Sequence, residues 1–385
     1  MFEELFHFIR DWYQTDSFIP LHEPRFGKLD RKHVMDAIDS TFVSSVGKYV
    51  NRFERDLAGY VGAKRAVVTV NGTAALQVAL RLVGVSAGDE VITQPLTFVA
   101  TANAIAHNNA HPVFIDVDRE TMGLSPDALK AFFEQFGERR DEGVYNRSSN
   151  RRIAAIVPMH TFGHPCRMEE LMELADAWGI PVVEDAAEAL GSFYKGRHCG
   201  TFGKLGVFSF NGNKIITCGG GGAIVTDDEK LAKRGKHLTT TAKVNHPWEY
   251  VHDEIGYNYR MPNLNAALAC AQLDQLNDFL IDKRHLAKAY AVFFSDVDWG
   301  EFFLEPMNCR SNYWLNAVML PNETLRVALL KKSKDVGMMT RPVWRLMADL
   351  DMFQHFQTDS LKNSKWLQER VVNLPSSVRI NEGMK

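Results

Sequence analysis

The sequence predicts an α/β fold: a mixed, mostly parallel central sheet flanked by helices, with a smaller α+β domain at the C-terminal end. Three observations carry this expectation. Short apolar runs of period 2 alternate with helical patterns of period 3.6 from about residue 40 to 270. Two further strand-like runs, GVFSFN and GGAIVTDD, have no helix between them and read as an antiparallel insertion in that sheet. Beyond about residue 290 the pattern changes to one clear strand, NYWLNAVML, and the helix ETLRVALLKKSKDVG, followed by a terminal helix.

In chain order, MFEELFHFIRDWYQ places Leu5, Phe6, Phe8, Ile9 and Trp12 at helical spacing with acids between them, which suits a docking helix rather than a leader peptide. AVVTV then leads into NGTAALQVALRLVG, EVITQPL into TFVATANAIAHNN, and HPVFIDV into SPDALKAFFEQF. IAAIVPM precedes MEELMELADAWG, which precedes IPVVEDA. The polar stretch ERRDEGVYNRSSNRR (138–152) reads as an exposed loop. A long helix starting near Asn263 links the two domains, so the expected division is 1–30, a segment packing with the small domain, 31–275, the large domain, and 276–385, the small one.

The 44 basic and 47 acidic residues leave a net charge of −3, which supplies no basic footprint for nucleic acid or a membrane surface. No run approaches the roughly 20 apolar residues of a membrane span. Five scattered cysteines without a CxxC pair suggest reduced thiols in a cytoplasmic protein.

Three segments carry chemistry. NGTAAL lies where a strand ends and a helix begins, so free N–H groups and the helix dipole favour an anion there. Gly72 lets the backbone approach, Thr73 adds a hydroxyl and Ala74 keeps the site open; an ordinary helix cap is the plain alternative. Asp185, at the end of PVVED, falls at the carboxyl edge of the sheet, where open α/β folds bind ligands. It could hold a cationic ring nitrogen, a metal or a ribose hydroxyl, or cap the following turn. In FNGNKIITCGGGG the glycines follow Lys214 and Ile215 comes next, the reverse of a phosphate loop. Phe208, Phe210, Ile215 and Ile216 around Lys214 desolvate its ammonium, as an amine nucleophile forming a Schiff base requires. His160, His164 and Cys166 in MHTFGHPC imitate a metal set without acidic support, and a His-Pro turn lining a pocket is the better reading.

An anion-binding helix end, a strand-end carboxylate and a desolvated lysine, in that order, suit pyridoxal 5'-phosphate. The phosphate would dock at Thr73 and Ala74, Asp185 would keep the ring nitrogen protonated, and Lys214 would hold the aldehyde.

Across nearly the whole chain these segments resemble the DegT/DnrJ/EryC1/StrS sugar aminotransferases of fold type I. The resemblance runs from FIPLHEPRFG (18–27) through NGTAAL, PLTFVATANAI, VEDAAEALGS, FSFNGNKIITCGGGG and GYNYRMPNLNAAL to MTRPVW (339–344). It implies that Phe98 stacks on the cofactor ring, Glu188 lies near its hydroxyl, and Ser209 helps to hold the phosphate. Asn258 or Arg260 would reach the site of a second subunit, making a homodimer with shared sites. His22, Glu23, Ser45, His160 and Arg341 would meet the substrate.

Within the family, FIPLHEPRF, STFVSSVGKYV (40–50) and GMMTRPVW are similar to the LegC subgroup. That likeness implies amination of a nucleotide-linked 4-keto-6-deoxy-N-acetylhexosamine with L-glutamate as donor, in bacterial surface-glycan biosynthesis of the nonulosonic acid or bacillosamine type. Amination at C3, or a cofactor-dependent sugar dehydratase, is the alternative chemistry; relatives of the dehydrating branch carry histidine where this chain has Lys214. A non-catalytic protein retaining the scaffold is the alternative of a different class.

Overall fold

The computed structural model describes residues 1–379. Seven strands form the central sheet of the large domain in the order 65–69, 222–226, 205–209, 183–185, 151–157, 90–93 and 111–114. Bridges Ile156–Val182 and Met159–Asp185 join its two halves. Of these strands Gly222–Thr226 alone runs against its neighbours, so GVFSFN and GGAIVTDD do form the expected antiparallel element. Strands buried on both faces read as near-continuous apolar runs, and Val91, Ile92, Val113, Ile156, Val183 and Val207 are all buried here.

Helices cover both faces. Gly72–Leu82 is buried along most of its length because Ala74, Ala75, Val78 and Ala79 are small enough to lie close against the sheet. Pro126–Phe136 begins at Ser125, whose side chain accepts from the Ala128 N–H at 3.2 Å, with proline in the first turn. The 33-residue helix Asn263–Ser295 is about 50 Å long at 1.5 Å per residue. Its first half packs on Lys28–Asp39 and Lys48–Val61, and Leu286, Tyr290 and Phe294 enter a second core.

That second core contains an antiparallel sheet of 301–302, 316–319, 371–374 and 341–342. The N-terminal helix Glu3–Tyr13 buries Leu5, Phe6 and Ile9 against it, and Ile19 bridges to Met338.

Two sequence expectations need correction. Residues 138–152 are not a loop throughout: Gly137–Arg140 and Gly143–Asn146 form an antiparallel hairpin on the edge of the sheet. An edge hairpin with few apolar side chains lacks the alternation that marks a half-buried strand. The helix expected at the terminus, Lys362–Gln368, is followed by the strand Val371–Leu374, which occupies the middle of the small sheet. No described helix is long and apolar enough to cross a membrane.

Candidate active site

A cavity of about 820 Å³ opens between the two domains, at the carboxyl ends of the parallel strands. Gly72, Thr73, Phe98, Asp185, Glu188, Ser209, Lys214, His22 and Arg341 all line it. Chain segments far apart in sequence therefore converge on one space.

Lys214 sits in the connection between Leu205–Ser209 and Gly222–Thr226, closed at its base by the Phe210 N–H donating to Gly221 O at 2.8 Å. Its Nζ lies 3.1 Å from Glu188 Oε1 and 4.1 Å from the centroid of the Trp314 ring. The glycine run serves this approach: a Cβ on Gly222 would stand 2.4 Å from Asn71 O and 2.7 Å from the Gly72 nitrogen. Only glycine lets this strand pass against the start of the helix beside the site.

Asp185 is buried at the end of its strand. Thr101 donates its hydroxyl to Oδ2 at 2.7 Å, and the Ala187 N–H reaches Oδ1 at 3.2 Å. Burial raises the Asp185 pKa, and these two hydrogen bonds offset it in part. A carboxylate desolvated in this way gains from a cationic N–H placed against it.

At the helix end both readings of NGTAAL hold together. The Asn71 side chain accepts from the Ala74 N–H at 2.8 Å and caps the helix. That removes Ala74 as a phosphate donor, and the buried Ala74 does not line the cavity. The amides of Gly72 and Thr73 remain at the free end. Close approach is possible there because Gly72 lacks a Cβ, which would stand 2.9 Å from the Ser209 Cβ. A helix end contributes only about 0.3–2 kcal/mol toward an anion, so tight retention needs Asp185 and Lys214 as well. Phe98 keeps 51% of its surface exposed, unusual for phenylalanine beside a core, and presents a ring to the cavity.

These residues fit pyridoxal 5'-phosphate on the molecule's own terms: free backbone donors for a phosphate, a buried carboxylate suited to a cationic ring nitrogen, an aromatic face, and a lysine amine within the same space.

Several expected residues lie elsewhere. His160 is fully buried; Cys166 N–H donates to its Nδ1 at 3.1 Å, so its Nε2 carries the proton and donates to Glu184 Oε2 at 3.0 Å. Both nitrogens are engaged away from the cavity, and His160 is not a substrate contact. Glu184 in turn accepts from the N–H groups of Gly200 and Gly203, each at 2.7 Å, so this pair fixes a loop. His160, His164 and Cys166 do not converge as a ligand set; among the described residues the one such grouping is His237, Asp253 and Glu254, on another part of the chain.

Arg260 also turns inward, bonded to Glu54 Oε1 at 2.7 Å and to Val68 O at 3.1 Å in its own chain, so it is not the residue that extends to a second subunit. Asn258 is exposed and lies outside this chain's cavity. Glu23 pairs with Arg25, and neither Glu23 nor Ser45 lines the cavity.

Sequence reasoning missed Thr101, which holds Asp185, and Trp314, which covers Lys214. Thr101 had a signal: it lies three residues after Phe98, on the same face of one helical turn. Trp314 comes from the small domain and had none.

The fold and this lysine-centred site define a pyridoxal phosphate-dependent transferase of fold type I. The chain belongs to the DegT/DnrJ/EryC1/StrS aminotransferase family, whose model matches residues 24–384. It is 36% identical over 370 residues to EpsN of Bacillus subtilis (strain 168), provisionally named a pyridoxal phosphate-dependent aminotransferase, covering 94% of this chain and 92% of that protein. It is 36% identical over 361 residues to the GDP-perosamine synthase of Escherichia coli O157:H7, covering 94% and 93%. Among solved structures it resembles Helicobacter pylori PseC, an aminotransferase involved in the biosynthesis of pseudoaminic acid, with a TM-score of 0.86, 25% identity and 96% of each chain covered. The protein is thus a sugar aminotransferase that uses pyridoxal phosphate.

Proposed function

We propose that the protein transfers the amino group of L-glutamate to C4 of a nucleotide-linked 4-keto-6-deoxy-N-acetylhexose, as a step in bacterial surface-glycan biosynthesis of the nonulosonic acid or bacillosamine type. The observation that carries the chemistry is one cavity holding Lys214, Glu188 and Asp185 against the free end of the helix Gly72–Leu82. For the substrate class the support is the mouth. Arg341 and Arg345 stand there beside Trp344, a combination that suits a diphosphate carrying a flat base and a sugar. Cavity size agrees, since about 820 Å³ exceeds what cofactor and amino acid alone require. The likeness to a GDP-perosamine synthase and to PseC supports a nucleotide-linked sugar.

In this reading the bound cofactor supplies an electron sink for charge left at the amino-acid α-carbon. The N–H groups of Gly72 and Thr73 and the Ser209 hydroxyl bind its phosphate, and Phe98 covers one face of the ring. Asp185, oriented by Thr101, holds the proton on the ring nitrogen. Lys214, once its amine is free, takes a proton at Nζ from the substrate carbon and gives it up from the same atom, a transfer for which general acid–base groups contribute about 10²–10⁴-fold.

The partner in solution is a second copy of the chain with shared sites. Asn258 is exposed beside the segment bearing Trp248, Tyr250 and Ile255, which are 78%, 83% and 81% exposed, an apolar face that suits burial between copies.

The test is activity with glutamate against a panel of nucleotide-linked 4-keto and 3-keto sugars. A 4-amino product from a 4-keto substrate is expected. Exclusive 3-keto amination, or a deoxygenated product without nitrogen, would replace this reading with one of its two chemical alternatives. A purified chain that binds no cofactor and turns over none of the panel would support the non-catalytic scaffold.

A further inference from the structure

Lys214 is not alone in its part of the cavity, and its neighbours are arranged around the nitrogen itself. Glu188 presents Oε1 to Nζ at 3.1 Å, while its Oε2 accepts from the Phe162 N–H at 2.9 Å. The Glu188 carbonyl accepts from Asn312 Nδ2 at 2.8 Å, fixing the backbone that carries the carboxyl. The Glu188 side chain is only 1% exposed and that of Lys214 11%, so water has little access to either. From the other side the Trp314 ring lies 4.1 Å from Nζ, held by its indole N–H donating to Asn213 O at 2.7 Å. The buried Lys283 Nζ donates to the Trp314 carbonyl at 3.1 Å and to the Ser376 carbonyl at 2.7 Å. Lys214 Nζ is thus held between a carboxylate and an aromatic face.

We propose that Glu188 is the proton partner of Lys214: its carboxylate takes a proton from the Nζ ammonium and leaves the neutral amine that must attack the cofactor. The inference rests on the proposed role of Lys214. One proton moves from Nζ to Oε1, the nitrogen regains its lone pair, and no other bond changes. The reverse transfer restores the ammonium, which the carboxylate and the Trp314 face then hold in place. Without Glu188 the proton must leave Nζ to water in the cavity.

Protonation of Glu188 itself sets the pH window. Burial pushes its pKa up to about 7, against the lowering influence of Lys214 and the Phe162 N–H, with nearby Asp185 adding to the rise. Lys214 and Asp185 are the charged groups facing it, and His160 lies beyond Asp185. Below pH 7 Glu188 gains its own proton and cannot take another, so formation of the neutral amine slows as pH falls through that value.

The experiment follows capture of pyridoxal phosphate by the full chain depleted of cofactor, read as growth of the visible absorption band between pH 6 and 9. Wild-type capture is expected to slow below a midpoint near 7. Glu188→Gln keeps the shape but cannot accept the proton; it is expected to capture at least about fivefold more slowly at pH 8, with the difference shrinking as pH falls below 7, where the wild-type carboxyl is itself protonated. Glu188→Asp, which retains a carboxyl, should keep a pH-dependent limb. Equal rates and equal pH profiles for wild type and Glu188→Gln would overturn the inference, as would a flat wild-type profile if Glu188→Gln fails to fold. A wild-type chain that never develops the band or a Lys214 adduct would instead overturn the proposed function.

Discussion

Replacing Lys214 with alanine is expected to lower turnover by at least about 10³-fold, the upper part of the range for removing a group that moves protons in the transition state. Among the described residues, the substitution also removes the only lysine amine lining the cavity. Neither Lys283 nor Arg341 can replace it. Lys283 is held by the carbonyls of Trp314 and Ser376, and Arg341 stands at the mouth with a guanidinium that does not deprotonate. Glu188 would be left buried without its cationic partner, which strengthens its hold on a proton. Steady-state kinetics with glutamate as donor measures the loss, and far-UV circular dichroism checks that the fold persists. A variant within tenfold of wild type would remove Lys214 from the mechanism.

The second large effect is at Asp185. Asp185→Asn preserves the shape of the side chain and can keep a contact with Thr101, but it removes the negative charge. Loss of one preorganised electrostatic group of this kind costs about 2.7–4 kcal/mol, or roughly 10²–10³-fold in kcat. Cofactor should still bind, more weakly, because the amides of Gly72 and Thr73 and the Lys214 amine are untouched. A titration of cofactor against the depleted variant, alongside its kcat, separates the two effects. Near wild-type turnover would show that the ring nitrogen does not depend on this carboxylate.

Much of this site was legible in the sequence because its parts sit at element boundaries. NGTAAL marks a strand-to-helix junction, PVVED ends a strand with a carboxylate, and the glycines after Lys214 cannot form a phosphate loop. Such features follow from local geometry, and the sheet brings them together. Arg260 and His160 are not legible in this way, because local sequence does not say which way a side chain turns. Arg260 has the same neighbours in GYNYRM whether it reaches outward or, as here, pairs with Glu54. His160 likewise reads as a pocket residue until Glu184 is seen to occupy it. Ala74 reads as a donor in the sequence, and only the structure shows the Asn71 side chain competing for its N–H. Trp314 reaches Lys214 across 100 residues and a domain boundary, where no spacing rule applies. The hairpin at 137–146 was missed for the opposite reason: its charged faces carry no periodic apolar signal.

On this reading Lys214 carries the cofactor covalently. Reducing the purified protein with borohydride and mapping its peptides by mass spectrometry tests it directly. One pyridoxyl adduct is expected, on the peptide containing Lys214. An adduct on any other lysine, or none on a protein that retains bound cofactor, would contradict it.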